Sequence, residues 1–130
     1  MALASAVFFD TSILISAFIE MGDSPVPAEA ALDAITQQRV RRPMTAWHCV
    51  LEFYAVATRL PANVRLDPKL AGGIVRNQIL ERFEVCGLPS TAHGTFIEAI
   101  VAERISGGRV YDAHIAEAAR LAGAAVVVTE

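Results

Sequence analysis

Short apolar runs alternate with longer helical stretches along this chain, and that alternation strongly constrains the fold. Residues 7–10 form an apolar run that ends on an acid, which is typical of a strand buried on both faces of a parallel sheet. Further strands are predicted at residues 40–45, 83–86 and 125–129. Parallel strands need crossover connections, and helices usually provide them. The pattern predicts an α/β fold, a three-layer α/β/α sandwich around a central parallel sheet.

The segments between the predicted strands have helical patterns. An apolar helix at residues 13–19 follows the first strand, with Thr11 and Ser12 as cap-type residues before it. Ser90 or Thr91 is predicted to cap another helix, which is expected to stop at the glycine pair 107–108. Further helices are predicted at residues 27–38, 46–60, 69–82 and 111–122. A chain of 130 residues fits one domain of ordinary size, so we expect a single domain over residues 1–130.

Composition excludes several classes of protein. No apolar stretch approaches the ~20 residues that span a bilayer, and the N-terminus lacks the basic region of a secretory signal. Cys49 and Cys86 match no metal-binding or redox spacing. We therefore expect a soluble cytoplasmic protein with reduced cysteines and no membrane association. The net charge of −3 gives no general attraction to nucleic acid, although ten of the eleven basic residues are arginine, which grips phosphates well. A bias towards arginine codons would explain the same excess.

Three acidic residues interrupt otherwise apolar segments: Asp10, Glu52 and Asp112. Burying a carboxylate costs free energy unless it is paired, hydrogen-bonded or bound to a cation. A single site that uses all three acids would explain these placements together. Hard divalent cations prefer oxygen ligands, and clustered carboxylates are the usual protein contribution. The sequence therefore favours a metal site formed by these three acids.

Each acid also has a structural alternative. Asp10 stands at the carboxyl end of a strand, where ligands bind in open parallel sheets, but it can also cap the following helix. Glu52 belongs to a polar stripe with His48 and Arg59 that faces either water or the crevice. Asp112 can complement a helix dipole, although the helical wheel places it beside the core stripe and away from the polar face.

Other catalytic patterns are missing from the sequence. The three histidines are scattered and match no zinc motif, and no serine has the Gly-x-Ser-x-Gly setting of a hydrolase nucleophile. The glycine pairs match neither a P-loop nor a dinucleotide-binding motif. Asp10 is not followed by the second aspartate of a haloacid-dehalogenase-type phosphatase, and Lys69, the single lysine, is too early for a receiver domain.

Four segments together resemble a known family. They are VFFDTSILI from residue 7, EFY from residue 52 with TR at residue 58, RVYDAHIAEAA from residue 109, and VVVT from residue 126. In this order they resemble PIN-domain proteins, in particular the VapC-like toxin ribonucleases of toxin–antitoxin pairs. The resemblance covers nearly the whole chain and implies a Mg²⁺- or Mn²⁺-dependent endoribonuclease that cleaves RNA. The alternative is a catalytically inactive PIN-like module that binds a partner protein.

The resemblance also implies roles for individual residues. Three residues would be catalytic and would hold the metal: Asp10, Glu52 and Asp112. Four others would contact the substrate: Thr11, Ser12, Arg109 and Thr129. A surface position without function is the alternative for Arg109. The family usually has a further acid after its last strand, so we expect the sequence to lack its C-terminal end, with Glu130 as the alternative fourth acid.

The resemblance further implies a homodimer and a cognate antitoxin that lies along an apolar groove near the site. The helix at residues 13–19 is apolar nearly all round, so we expect one of its faces to be buried against something other than the sheet. The alternative is a central core helix, which needs no second chain.

Overall fold

The computed structural model describes residues 4–19 and 40–128, and it contains one parallel sheet of four strands. The strands are β1 (Ala4–Phe9), β2 (Val40–Ala46), β3 (Glu84–Cys86) and β4 (Val126–Val128). Their order across the sheet is β3-β2-β1-β4, and every neighbouring pair is parallel. The predicted parallel sheet and the α/β/α architecture are confirmed.

Six α-helices lie within the described residues. They are α1 (Thr11–Phe18), α2 (Trp47–Ala57), α3 (Pro68–Ile74), α4 (Leu80–Arg82), α5 (His93–Ala102) and α6 (Arg109–Leu121). None of these helices is long and apolar enough to cross a membrane. The helix predicted at residues 27–38 lies outside the described residues.

The position of β1 in the sheet fixes where a ligand site can form. The chain proceeds from β1 to β2 and β3 on one side, and it then returns to place β4 on the other side of β1. Strand order therefore reverses at β1, and open α/β sheets bind ligands outside the carboxyl ends of the strands at such a switch point. The carboxyl end of β1 is followed directly by Asp10.

The core forms where the sheet meets α1 and α2. Phe8 on β1 and Phe53 on α2 are fully buried, and the ring of Phe53 meets the edge of Phe18 with centroids 6.3 Å apart. The buried hydroxyl of Thr45 donates a 2.8 Å hydrogen bond to the carbonyl of Phe9. That bond joins β1 to β2 and satisfies a buried polar group at low cost.

The apolar helix α1 packs against α2, and its described side chains are all buried or half-buried. Ile13 and Leu14 are almost completely inaccessible. This packing agrees with the central-core alternative for the segment, so its apolar circumference does not require a second chain.

Both ends of the helix predicted between Ser90 and the glycine pair 107–108 differ from the sequence prediction. The helix predicted to stop at the glycine pair ends instead at Ala102, because Arg104 adopts a left-handed conformation with φ of 57°. The amide of Arg104 bonds to the carbonyl of Val101, and that of Ile105 to Ile100, which is the Schellman pattern normally built on glycine. Neither Ser90 nor Thr91 caps α5. They begin a 3₁₀ turn, and the helix starts only at residue 93 with no side-chain cap.

The helical stretch predicted at residues 69–82 is present but not uniform. Between α3 and α4 the segment Val75–Ile79 is π-helical, and the amide of Leu80 bonds to the carbonyl of Val75. A π turn accommodates one residue more than an α turn. Ala71 before the π segment and Ile79 at its end are both fully buried.

Candidate active site

A groove opens at the carboxyl edge of the sheet, at the switch point beside β1 and β4. Its volume is about 910 Å³. Residues that follow β1 and β2, the first turns of α6 and the end of β4 contribute to its walls. The lining residues are Asp10, Thr11, Ser12, Ile15, His48, Glu52, Val56, Arg59, Gly108, Tyr111, Asp112, Ile115, Ala116 and Val127.

Asp10 is half-buried; it caps α1 and also lines the groove. Its Oδ1 accepts a 2.7 Å hydrogen bond from the amide of Thr11, so the residue is the N-cap of α1. The same side chain lines the groove, and the Sγ of Cys49 lies 3.9 Å from Oδ1. Burial raises the pKa of the Cys49 thiol, so at neutral pH this neighbour is an uncharged thiol rather than a competing anion.

Glu52 enters the groove from α2, which begins directly after β2. His48 and Glu52 are four positions apart and therefore lie on the same face of the helix, with His48 Nε2 3.6 Å from Glu52 Oε2. The two side chains form an ion pair only when the imidazole is protonated. Arg59, just beyond the end of α2, lines the same groove. Of the two orientations open to this polar stripe, the structure has the one that faces the crevice.

Asp112 lies in the first turn of α6 and also lines the groove. Its side chain is exposed, whereas the helical wheel predicted a position close to the core. Gly107, with φ of 62°, forms the turn before the helix, and only glycine adopts that conformation without strain. Gly108 follows as the N-cap and is part of the groove wall.

The three acids share the groove but do not form a closed metal cage. Within residues 4–19 and 40–128, no three histidine, cysteine, aspartate or glutamate side chains lie close enough together to hold one metal ion. The sequence predicted that the three acids would share one metal coordination sphere, and the described residues do not form one. The donors are nevertheless carboxylate oxygens, which suit Mg²⁺, and Mg²⁺ normally keeps several waters and takes only one or two carboxylates directly.

The four substrate-binding residues predicted from the sequence do not all lie in the groove. Thr11 and Ser12 line the groove, with the Thr11 side chain buried. Arg109 begins α6, but its side chain does not form part of the groove wall. Thr129 lies outside the described residues. The catalytic and binding roles of all these residues remain predictions.

Three groove residues with basic or aromatic side chains were not among the predicted site residues: His48, Arg59 and Tyr111. The rings of His48 and Tyr111 are stacked, with centroids 5.1 Å apart and planes 7° from parallel. His114 meets the edge of His48 at 6.1 Å, and burial, followed by the charges of His48 and His93, lowers the pKa of His114. The spacing of His48 and Arg59 with Glu52 was visible in the sequence, but the stacking joins α2 to α6 and has no local sequence signal.

A comparison with known families gives this geometry a context. No curated protein matches the chain significantly. A family model described as the PIN domain matches residues 7–130, which is nearly the whole sequence. The matched range includes all three acids of the groove. The chain therefore belongs to the PIN-domain family, whose members are typically metal-dependent nucleases.

Proposed function

We propose that the protein is an endoribonuclease that depends on Mg²⁺ or Mn²⁺ and cleaves RNA in the groove. The observation that carries this proposal is the presence of three carboxylates, from three different segments, in one groove at the switch point of the sheet. A groove of about 910 Å³ is open enough to admit a flexible single strand.

In this proposal one or two of the carboxylates of Asp10, Glu52 and Asp112 would bind the metal ion directly and the remainder through its waters. The bound ion would supply an activated water and stabilise charge on the phosphodiester. The N-cap bond fixes the orientation of Asp10, because its Oδ1 is tied to the amide of Thr11. Glu52 and Asp112 approach from separate helices, so they can adjust to a hydrated ion across the groove.

Phosphate binding is a role that suits Arg59. Its guanidinium lines the groove, and in the described part of the chain no ion pair or side-chain hydrogen bond engages it. Arginine presents a planar fork that matches a phosphate in bidentate fashion. Arg109 stays a candidate for a phosphate contact outside the groove wall, with a surface role as its alternative.

Metal dependence is the first test. The purified protein is expected to cleave a mixture of single-stranded RNAs with Mg²⁺ or Mn²⁺, to stop when excess EDTA is added, and to resume when the metal is restored. RNA incubated without protein is the control. Cleavage that continues in excess EDTA would contradict the metal mechanism, whereas RNA that stays intact with either metal would favour the catalytically inactive binding module.

We also propose that the ribonuclease is the toxin of a toxin–antitoxin pair and acts in the cytoplasm. The support is the sequence resemblance to VapC-like toxins, together with two cysteines that are free in the structure, as in a reducing compartment. An antitoxin that sends an arginine towards the three carboxylates would compete with the metal for the same charges.

A homodimer is the second proposed assembly. Its support is an exposed apolar stripe on α2, where Trp47, Leu51 and Tyr54 are spaced to lie on one helical face. Exposed apolar stripes often contact another chain. Light scattering coupled to size exclusion should give twice the chain mass. A monomer at high protein concentration would rule the dimer out, and Leu51→Glu should dissociate it if this stripe is the interface.

A further inference from the structure

Tyr111 is an exposed aromatic residue that lines the groove, and it is not part of the hydrophobic core. It lies in the first turn of α6, next to Asp112, and 56% of its surface is accessible. Residues on the same helix that serve the core, Ile115 and Ala119, are buried. The ring of Tyr111 therefore remains available to a ligand of the groove.

This ring is held in place although it is exposed. His48 stacks against it with planes 7° from parallel, and His114 in turn meets the edge of His48. Phe96 on α5 meets His114 at 6.1 Å with planes 78° apart, so a chain of rings connects Tyr111 to the body of the protein. Because His48 covers one face of Tyr111, the accessible surface belongs to the opposite face and the edge. A ring fixed in this way loses little conformational entropy when a second flat group stacks on it.

We propose that Tyr111 is a stacking platform for one nucleobase of the RNA substrate, and this inference rests on the proposed ribonuclease function. Every nucleobase has a π-face, and stacking on aromatic side chains is how proteins hold unpaired bases in single-stranded RNA. Tyr111 lines the same groove as Asp10, Glu52 and Asp112, so a base on this ring would place its neighbouring phosphodiester near the candidate carboxylates. Tyr111 is thus a positioning residue for the reaction.

Equilibrium binding tests the inference without cleavage. All proteins carry Asp10→Asn to keep the RNA intact, and the probe is a fluorescent single-stranded oligoribonucleotide of about ten nucleotides, followed by anisotropy. Tyr111→Ala is expected to weaken binding roughly tenfold, a typical effect of removing one stacking ring. Tyr111→Phe keeps the ring and should bind within about twofold of the background protein. Val101→Ala truncates an exposed apolar side chain outside the groove and should have no effect.

A set of oligonucleotides with one base removed at each position in turn separates stacking from a structural effect. For the background protein, loss of the stacked base should weaken binding about as much as Tyr111→Ala does, and combining the two changes should add little further loss. If Tyr111→Ala weakened binding equally for every abasic oligonucleotide, Tyr111 would have a structural role and the stacking proposal would be overturned. Unchanged binding by Tyr111→Ala would overturn it as well, while RNA cleavage would still support the proposed function. Failure of the wild-type protein both to bind and to cleave RNA would remove both proposals.

Discussion

Asp10→Asn is expected to lower the rate of RNA cleavage more than about 100-fold. Mutation of a residue that only supports a metal ligand costs up to about 100-fold, and Asp10 is proposed to be a ligand itself. The amide lacks the negative charge that a hard divalent cation requires. Stability should hardly change, because Asp10 caps α1 through an oxygen that accepts from the amide of Thr11, and asparagine caps a helix about as well as aspartate. A gel-based cleavage assay and thermal unfolding measured on the same preparation check both statements.

Asp10→Ala is the matched control, because it removes the cap together with the charge. It should lose activity equally and, in addition, lower the free energy of unfolding by about 1 kcal/mol. The proposed toxin role predicts that induced expression of the wild-type chain arrests growth of the host cell and that expression of Asp10→Asn does not. Cleavage by Asp10→Asn at the wild-type rate would remove Asp10 from the catalytic set.

Phe53→Ala is expected to reduce the free energy of unfolding by about 3–5 kcal/mol, the usual cost of truncating a buried phenylalanine. Phe53 is fully buried and packs against Phe18, so the change leaves a cavity between α2 and α1. A domain of this size is stabilised by only about 5–15 kcal/mol in total. Urea denaturation followed by circular dichroism measures the loss.

Val101→Ala, on helix α5, is the control for that experiment. Val101 is 70% exposed, so its truncation should change stability by no more than about 0.5 kcal/mol. A small effect of Phe53→Ala, similar to that of Val101→Ala, would mean that the contact between α1 and α2 contributes little to the fold.

The strands β1 and β4 were predictable from the sequence because each contains a short apolar run. The signal for β2 and β3 was weaker, because β2 contains two arginines and a proline and β3 has only three residues. The helix ends were less predictable. The glycine pair 107–108 was the obvious stop signal, but Arg104 ends α5 in a conformation that usually belongs to glycine. The hydrogen bonds of residues 104 and 105 stabilise that turn, and such bonds depend on tertiary structure as well as on the local sequence.

The candidate site was predictable only in part. The three acids stood out because they interrupt apolar segments, and the structure brings all three to one groove. The exposure of Asp112 was not predicted, because the helical wheel describes a single helix and not the open groove beside it. The contact between His48 and Tyr111 joins residues 63 positions apart, so it depends on how α2 and α6 pack. Sequence periodicity reports one helix at a time.

The π-helical segment has a consequence for how this chain can vary in length. Ala71 and Ile79 are eight positions apart, which in a continuous α-helix would rotate Ile79 about 80° away from the face of Ala71. The wider turn at residues 75–79 reduces that rotation, so both side chains reach the core. If Ala71 and Ile79 were seven positions apart in a regular α-helix, their side chains would lie within about 20° of the same face. We therefore expect the chain to tolerate the loss of one residue between Val75 and Ile79 with the register of β3 kept, and a one-residue gain to turn Ile79 and Phe83 towards solvent.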